Sequence, residues 1–262
     1  MAPSAILAAL MLAAPALAAS PADPYLYIPP WMADHVVFYH TFAQGPDKPE
    51  INLLGAKVVA PEGAAAPGLT GPGFRASDGQ TKRAGLQLRD LTLALNKPVT
   101  ISLWWRLDAP MKETTGYPLI GLHAARGYIS NFIAGKGPWC GLARPTFVTQ
   151  CYSFPGVSNV NGIWDGDGWA KENVWHHSAI TVAGGSEISI YWDGVRRSRT
   201  NVNGRLFGPE DVVKSIALGP DGAGHPMTLA EVLILDGALT ADEVRAYMTS
   251  VQALAGMGFP AR

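Results

Sequence analysis

Between Leu86 and Leu95 the chain reads LQLRDLTLAL, with leucines at 86 and 88 and then at 91, 93 and 95. Successive side chains of a strand point to opposite faces, so apolar residues spaced by two mark a strand with one face in a core. The change of parity at Asp90 predicts a phase shift of one residue. The pattern returns in Pro98–Asp108, where Val99, Ile101, Leu103 and Trp105 share a face. Val36–Phe42, Val174–Val182, Glu187–Trp192, Ser215–Leu218 and Thr228–Leu235 are further strand-favouring segments. Turn formers bound them: 29 Gly and 21 Pro make about one residue in five, against roughly 12% in an average chain. Asp193-Gly194 directly after a strand is a tight-hairpin signal, because both residues tolerate positive φ. Together these features predict an antiparallel sandwich and exclude a helical bundle or coiled coil.

One helix is expected. In Thr240-Ala241-Asp242-Glu243 the Thr hydroxyl and Glu carboxylate form a capping box for the first free N–H groups, and Val244, Tyr247, Met248 and Val251 follow at helical spacing. Residues 60–73 (APEGAAAPGLTGPG) read as a surface loop. With no repeat and no long linker, one domain over residues 20–262 is predicted. Lys+Arg 20 against Asp+Glu 21 gives a net charge of −1 without a basic run. That argues against nucleic acid and against a polybasic membrane contact.

Residues 1–19 lie within MAPSAILAALMLAAPALAAS, an uncharged apolar stretch with an Ala-x-Ala pattern at Ala16 and Ala18. It reads as a secretory signal peptide cut near Ala18 or Ala19, which implies a secreted or periplasmic protein with no membrane span in its mature chain. In that oxidising setting the two cysteines, Cys140 and Cys151, are expected to pair. The ten residues between them suit adjacent strands of a hairpin or a pinched loop. Such a bond stabilises by about 3 kcal/mol in the chain-entropy model.

Three stretches carry a resemblance to the laminin-G-like members of the concanavalin A-like lectin/glucanase superfamily. Lys97–Leu107 (KPVTISLWWRL) is similar to a Thr-Ile-Ser-x-Trp strand of that family. Trp175-His176 with Ala179-Ile180-Thr181, and then Ile190-Tyr191-Trp192-Asp193-Gly194, resemble its W-H-x-x-x-T and L-Y-x-D-G pair. Ile216–Gly219 and Leu229–Val244 resemble its closing stretch, and Val36–Phe42 its opening strand. The resemblance implies a jelly-roll sandwich of two antiparallel sheets with a short C-terminal helix. It also implies that Trp175 and one of Trp104 and Trp105 fill the space between the sheets, and that His176 donates a hydrogen bond inside the sandwich. The family's acidic pair near the last strand becomes Leu229-Ala230-Glu231, so one carboxylate of that pattern is missing. A structural calcium, which needs six or more oxygen ligands, loses support there.

Fold does not confer function, and no catalytic motif is recognisable. The Glu-x-Asp-x-(x)-Glu strand of the superfamily's glucanases, the Arg, Gln-x-His and Tyr motifs of alginate lyases, a Ser nucleophile elbow and zinc-protease spacing are all absent. The unusual region is Gly137–Glu172. It holds Trp139, Trp164, Trp169 and Tyr152, with the run Trp164-Asp165-Gly166-Asp167-Gly168-Trp169, in Gly- and Pro-rich surroundings. Aromatic faces can cover the C–H faces of a sugar while carboxylates accept from its hydroxyls, so these residues with Asp165 and Asp167 are the candidate ligand site. Asp165 and Asp167 could instead join Asn159, Asn161 or backbone carbonyls around a calcium, or act as an acid/base pair. Arg126, Asn131 and Arg144 are candidate polar contacts if they border the same groove. Three functions follow: a non-catalytic lectin-like module for a glycan or cell-surface ligand, a polysaccharide-active hydrolase or lyase with loop-borne acids, or a cell-envelope protein-interaction module.

Overall fold

A computed structural model of the protein describes residues 28–60, 65–77, 85–110, 116–134, 146–152, 160–164, 171–185, 187–201, 207–219 and 225–256. A 3-10 turn, Pro30–His35, precedes the strands. In chain order these are β1 Val36–His40, β2 Ile51–Asn52, β3 Lys57–Val59, β4 Ala65–Pro67, β5 Pro72–Ser77 and β6 Leu86–Ala94. Next come β7 Pro98–Leu107, β8 Gly116–Ala124, β9 Gly127–Ala134, β10 Thr146–Tyr152 and β11 Val160–Trp164. The last are β12 Trp175–Ala183, β13 Glu187–Trp192, β14 Val195–Asn201, β15 Val212–Leu218 and β16 Met227–Leu235, followed by the helix α1 Ala241–Leu254.

Among the described residues the strands form two antiparallel sheets. The nine-stranded sheet runs β14-β13-β12-β7-β16-β1-β2, with β5 also on β16 and β4 on β5; the seven-stranded sheet runs β11-β10-β9-β8-β15-β6-β3. At one side the edge strands β11 and β14 lie together and close the sandwich. The expected alternation places Val99, Ile101, Leu103 and Trp105 between the sheets, with Leu86, Leu88, Leu91, Leu93 and Leu95 opposite. Asp90 has φ 59°, and the register between β6 and β15 slips beside it. The phase shift in the leucines is therefore a β-bulge.

The two sheets differ in their outer faces. Helix α1 packs Tyr247, Met248 and Val251 on Tyr39, Trp104, Leu233 and Leu235 of the nine-stranded sheet. Its N-terminus is held as predicted: Thr240 Oγ1 accepts from the Glu243 amide at 3.3 Å, and the Thr240 amide donates to Glu243 Oε2 at 2.7 Å. Consequently β16 is buried on both faces along its whole length. The outer face of the seven-stranded sheet has no such cover among the described residues.

Two expectations change. Residues 60–73 contain β4 and the start of β5, which pair through Ala66 and Gly73. A Cβ on Gly73 would stand 2.7 Å from the Gly68 Cα, so small residues there serve a close backbone approach that composition alone reads as loop. Trp105 fills the space between the sheets, but Trp175 does not. Trp175 packs with the helix-side cluster, under the Arg106 guanidinium at 4.9 Å. Adjacent residues of a strand point oppositely, and His176 takes the inward position, in register with Trp105.

Burial of β16 has an electrostatic cost at Glu231. This residue is the bulge between Ala230 and Val232, with φ 46°. It sits where β16 exchanges one neighbour, β5, for the next, β1. Burial raises its pKa from 4.5 to about 8, against hydrogen bonds from Thr70 and Tyr247, and the Glu50 charge adds to the rise. Tyr247 also meets the His177 ring, and there burial lowers His177 from 6.5 to about 4, opposed by the Asp193 charge.

These shifts fix the pH dependence of stability. Between 4.5 and about 8 the unfolded chain has released the Glu231 proton that the folded chain keeps, so stability falls as pH rises, by about 1.4 kcal/mol per unit. Between about 4 and 6.5 the unfolded chain carries a His177 proton that the folded chain lacks, giving the opposite slope. The two offset each other up to pH 6.5, and Glu231 acts alone from there to about 8. Urea denaturation is expected to show stability declining over that upper window, with the decline abolished in Glu231→Gln. An unchanged decline in the variant would assign it to another group.

Candidate functional site

Register builds the open face from residues far apart in the chain. One row runs Lys57, Arg89, Ser215, His123 and Tyr128 across β3, β6, β15, β8 and β9. The next row runs Val59, Gln87, Ala217, Gly121 and Ser130. The residues between them, Leu88, Ile216, Leu122 and Ile129, face the core, so parity turns both rows outward. On β10 and β11 the backbone continues these rows, Tyr152 in register with Tyr128, and Gln150 with Ser130 and Asn161.

Gly121 gives this face its floor. A Cβ there would lie 3.1 Å from Tyr128 Oη and 3.3 Å from the edge of its ring. The Tyr128 ring therefore lies across the strand instead of standing off it, and His123 adjoins it with ring centroids 4.6 Å apart at 48°. His123 is exposed and Tyr128 half-buried, while Ser130 and Gly121 beneath are buried. The result is a low aromatic platform beside the polar residues Ser215, Arg89 and Lys57 of the same row. Neither His123 nor Tyr128 is singled out in the linear sequence. The available signal is Gly121, an isolated glycine inside a strand pattern, which marks a close approach.

The residues named from sequence separate into groups. Trp139, Cys140, Arg144, Asn159, Asp165, Asp167 and Trp169 lie outside the described residues. Trp164 ends β11 in register with Phe147, whereas Tyr152 ends β10 five residues further along, about 17 Å at strand rise. The two positions thus lie at opposite ends of the β10–β11 pair, and the Tyr152 backbone is in register with Tyr128. Cys151 stands opposite Ile129 and Val160, so neither strand beside β10 places a cysteine across from it. Asn131, in register with the core residue Ile120, is fully buried and both amide atoms lack a hydrogen-bond partner; it is not a surface contact. Arg126, at the β8–β9 turn, is engaged by Glu210 and by Asp211 at 3.2 Å.

The histidines inside the fold fasten it. His176 Nδ1 donates to Asp193 Oδ2 at 2.8 Å, Trp192 Nε1 donates to the same oxygen at 2.7 Å, and the His177 amide donates to Oδ1 at 2.8 Å. One carboxylate thereby holds the β13–β14 hairpin, where Asp193 and Gly194 have φ 46° and 72°. Ser102 Oγ lies 2.7 Å from His177 Nε2, the spacing of a nucleophile and its base. That pair is buried under α1, however, and Asp193 binds the His177 backbone amide, while His177 Nδ1 has no partner. A base without an orienting carboxylate or access to substrate does not fit nucleophilic catalysis. Among the described residues no three His, Cys, Asp or Glu side chains come together to hold a metal, and no helix is long and apolar enough to cross a membrane.

Asp193→Ala is expected to destabilise by about 2–4 kcal/mol, since it leaves buried donors unpaired. Tyr128→Ala and His123→Ala are expected to cost less than about 1 kcal/mol. Chemical denaturation of the three variants checks this, and a larger loss at the platform than at Asp193 would make the platform part of the structural core.

Comparison with known proteins agrees with this architecture. Residues 79–245 match a laminin-G family model described as the concanavalin A-like lectin/glucanases superfamily, and the chain belongs to that superfamily. No curated protein matches the sequence. Among solved structures, the binding domain of botulinum neurotoxin serotype D is similar with a TM-score of 0.63 and 11% identity, over 84% of this chain and 52% of that one. The binding domain of Paraclostridial Mosquitocidal Protein 1 gives 0.60 and 17%, over 83% and 52%. Domain 4 of AbnA, an extracellular arabinanase from Geobacillus stearothermophilus, solved in complex with arabinotriose, gives 0.57 and 20%, over 82% and 98%. This chain therefore spans about half the length of the toxin binding domains and nearly all of the arabinanase domain. At these identities the likeness is one of fold.

Proposed function

We propose that this superfamily member is an exported, non-catalytic lectin-like module that binds a glycan or cell-surface ligand. The observation that carries the reading is the outer face of the seven-stranded sheet, where Tyr128 and His123 form an aromatic platform over Gly121 and no described element packs on top. An aromatic ring at a protein surface can cover the C–H face of a sugar, and Gln87 and Arg89 on the same face supply hydrogen bonds to hydroxyls. The arabinanase domain of similar fold, in complex with arabinotriose, supports a sugar as the ligand class, and the toxin binding domains support a binding role more generally.

In this reading the Trp-rich segments extend the site. Trp139, Trp164, Asp165, Asp167, Trp169 and Tyr152 are the further proposed ligand contacts. Calcium at Asp165 and Asp167 belongs to the proposal as an option that the same assay reads through chelation. Export rests on the apolar N-terminus with its Ala-x-Ala pattern. Cleavage near Ala18 or Ala19 leaves one domain over residues 20–262, stapled by Cys140 and Cys151, in the periplasm or outside the cell.

The test uses protein recovered from the periplasm after expression with its own N-terminus, intact mass reporting the cleavage and the cysteine pairing. On a glycan array it is expected to give hits that leave the sugar's chain length unchanged. Tyr128→Ala, Trp164→Ala and Trp169→Ala are each expected to weaken binding about tenfold, the scale of one lost stacking contact. Release of shorter products, stopped by Asp165→Asn or Asp167→Asn, would replace this reading with a polysaccharide-active enzyme. An array without hits, together with recovery of a defined envelope protein, would replace it with an interaction module.

A further inference from the structure

Three cations stand on the outer face of the seven-stranded sheet. Lys57 on β3 is in register with Arg89 on β6, in the same row as Ser215, His123 and Tyr128. Lys214, next to Ser215, brings its Nζ to 3.5 Å from Thr92 Oγ1 of β6. All three are exposed. Arg89 Nε donates to Gln87 Oε1 at 2.9 Å, a neutral partner that orients the guanidinium without cancelling its charge. Among the described residues no carboxylate pairs with Lys57, Arg89 or Lys214. The acids near the β8–β9 turn, Glu210 and Asp211, are taken by Arg126. Asp90, exposed after Arg89 in the chain, is the acid that the row must tolerate.

We propose that this face is a binding track for an acidic polysaccharide, its uronate carboxylates meeting Lys57, Arg89 and Lys214 and one pyranose ring lying on the His123–Tyr128 platform. The inference rests on the glycan-binding reading and adds the charge of the ligand. From Lys57 to Tyr128 the row crosses four strand spacings, about 19 Å, which is room for several sugar units of a polymer lying across the strands. A planar guanidinium fork suits a carboxylate, and the lysines add charge without demanding one geometry. Because the cations are solvated, their contribution is sensitive to salt, whereas stacking on the platform is not.

Polygalacturonate and its carboxyl-reduced form have the same backbone and differ in charge, so titrating the mature protein with each by calorimetry isolates the charge. The acidic polymer is expected to bind at least tenfold more tightly at low salt, with the preference shrinking as salt rises. Arg89→Gln and the double variant Lys57→Gln with Lys214→Gln are expected to remove that preference. Their thermal melting should stay unchanged, as these side chains are exposed, while Tyr128→Ala weakens both polymers. Equal affinity for the two polymers, or array hits confined to neutral glycans, overturns the acidic track and leaves the lectin-like reading standing. No binding to any glycan overturns both. Equal binding of single-stranded DNA or dextran sulfate, with no loss in Tyr128→Ala, also overturns it, by reducing the face to a nonspecific polyanion surface.

Discussion

Burial of both faces of β16, from Met227 to Leu235, denies that strand any contact with water, and the surrounding structure answers to it. On one side the second sheet supplies Leu88, Leu122 and Ile216; on the other, α1 supplies Tyr247 and Val251. A polar group on such a strand has to find its partners inside the protein. Glu231 does so by leaving the ladder as a bulge and receiving hydrogen bonds from Thr70 Oγ1 and Tyr247 Oη at 3.2 and 3.4 Å. The family pattern's acidic pair is thus reduced here to one carboxyl group, placed where the helix closes over the sheet.

Helix α1 covers the outer face of the nine-stranded sheet. The seven-stranded sheet turns Leu88, Ile216, Leu122 and Ile129 inward and has nothing packed on its back among the described residues. Its outer side carries Lys57, Arg89, Gln87 and Ser215 beside Val59 and Ala217, and Tyr128 lies across Gly121. The strands fix the floor of that face by backbone pairing. The histidines that resemble catalytic machinery, His176 and His177, are on the nine-stranded sheet, where they hold the Asp193 hairpin and meet α1.

Local patterns were legible in the sequence, and combinations across strands were not. The leucine parity around Asp90, the Asp193-Gly194 hairpin and the Thr240–Glu243 box each depend on neighbours a few residues apart, so the sequence displays them directly. Trp175 misled because the resemblance named a residue pair without saying which member faces inward; strand parity gives that position to His176. The outer-face row depends on register instead. Lys57, Arg89 and Lys214 show no basic run along the chain and become neighbours only when β3, β6 and β15 pair. Likewise His123 and Tyr128 meet across a hairpin, with Gly121 as the one local hint. The Trp and Asp residues of the 137–172 region stood out by composition, yet composition could not show that Tyr152 and Trp164, each the last residue of its strand, lie at opposite ends of the antiparallel pair.

Ligand recognition on the outer face of the seven-stranded sheet, as proposed, is read by backbone amide shift mapping of the isotope-labelled mature protein titrated with an oligogalacturonate. Perturbations are expected to be confined to β6, β15, β8 and β9 and centred on Arg89, His123 and Tyr128, with α1, β12 and β13 unaffected. Saturable perturbations centred on α1 or on the β13–β14 hairpin, with the outer face silent, would contradict it.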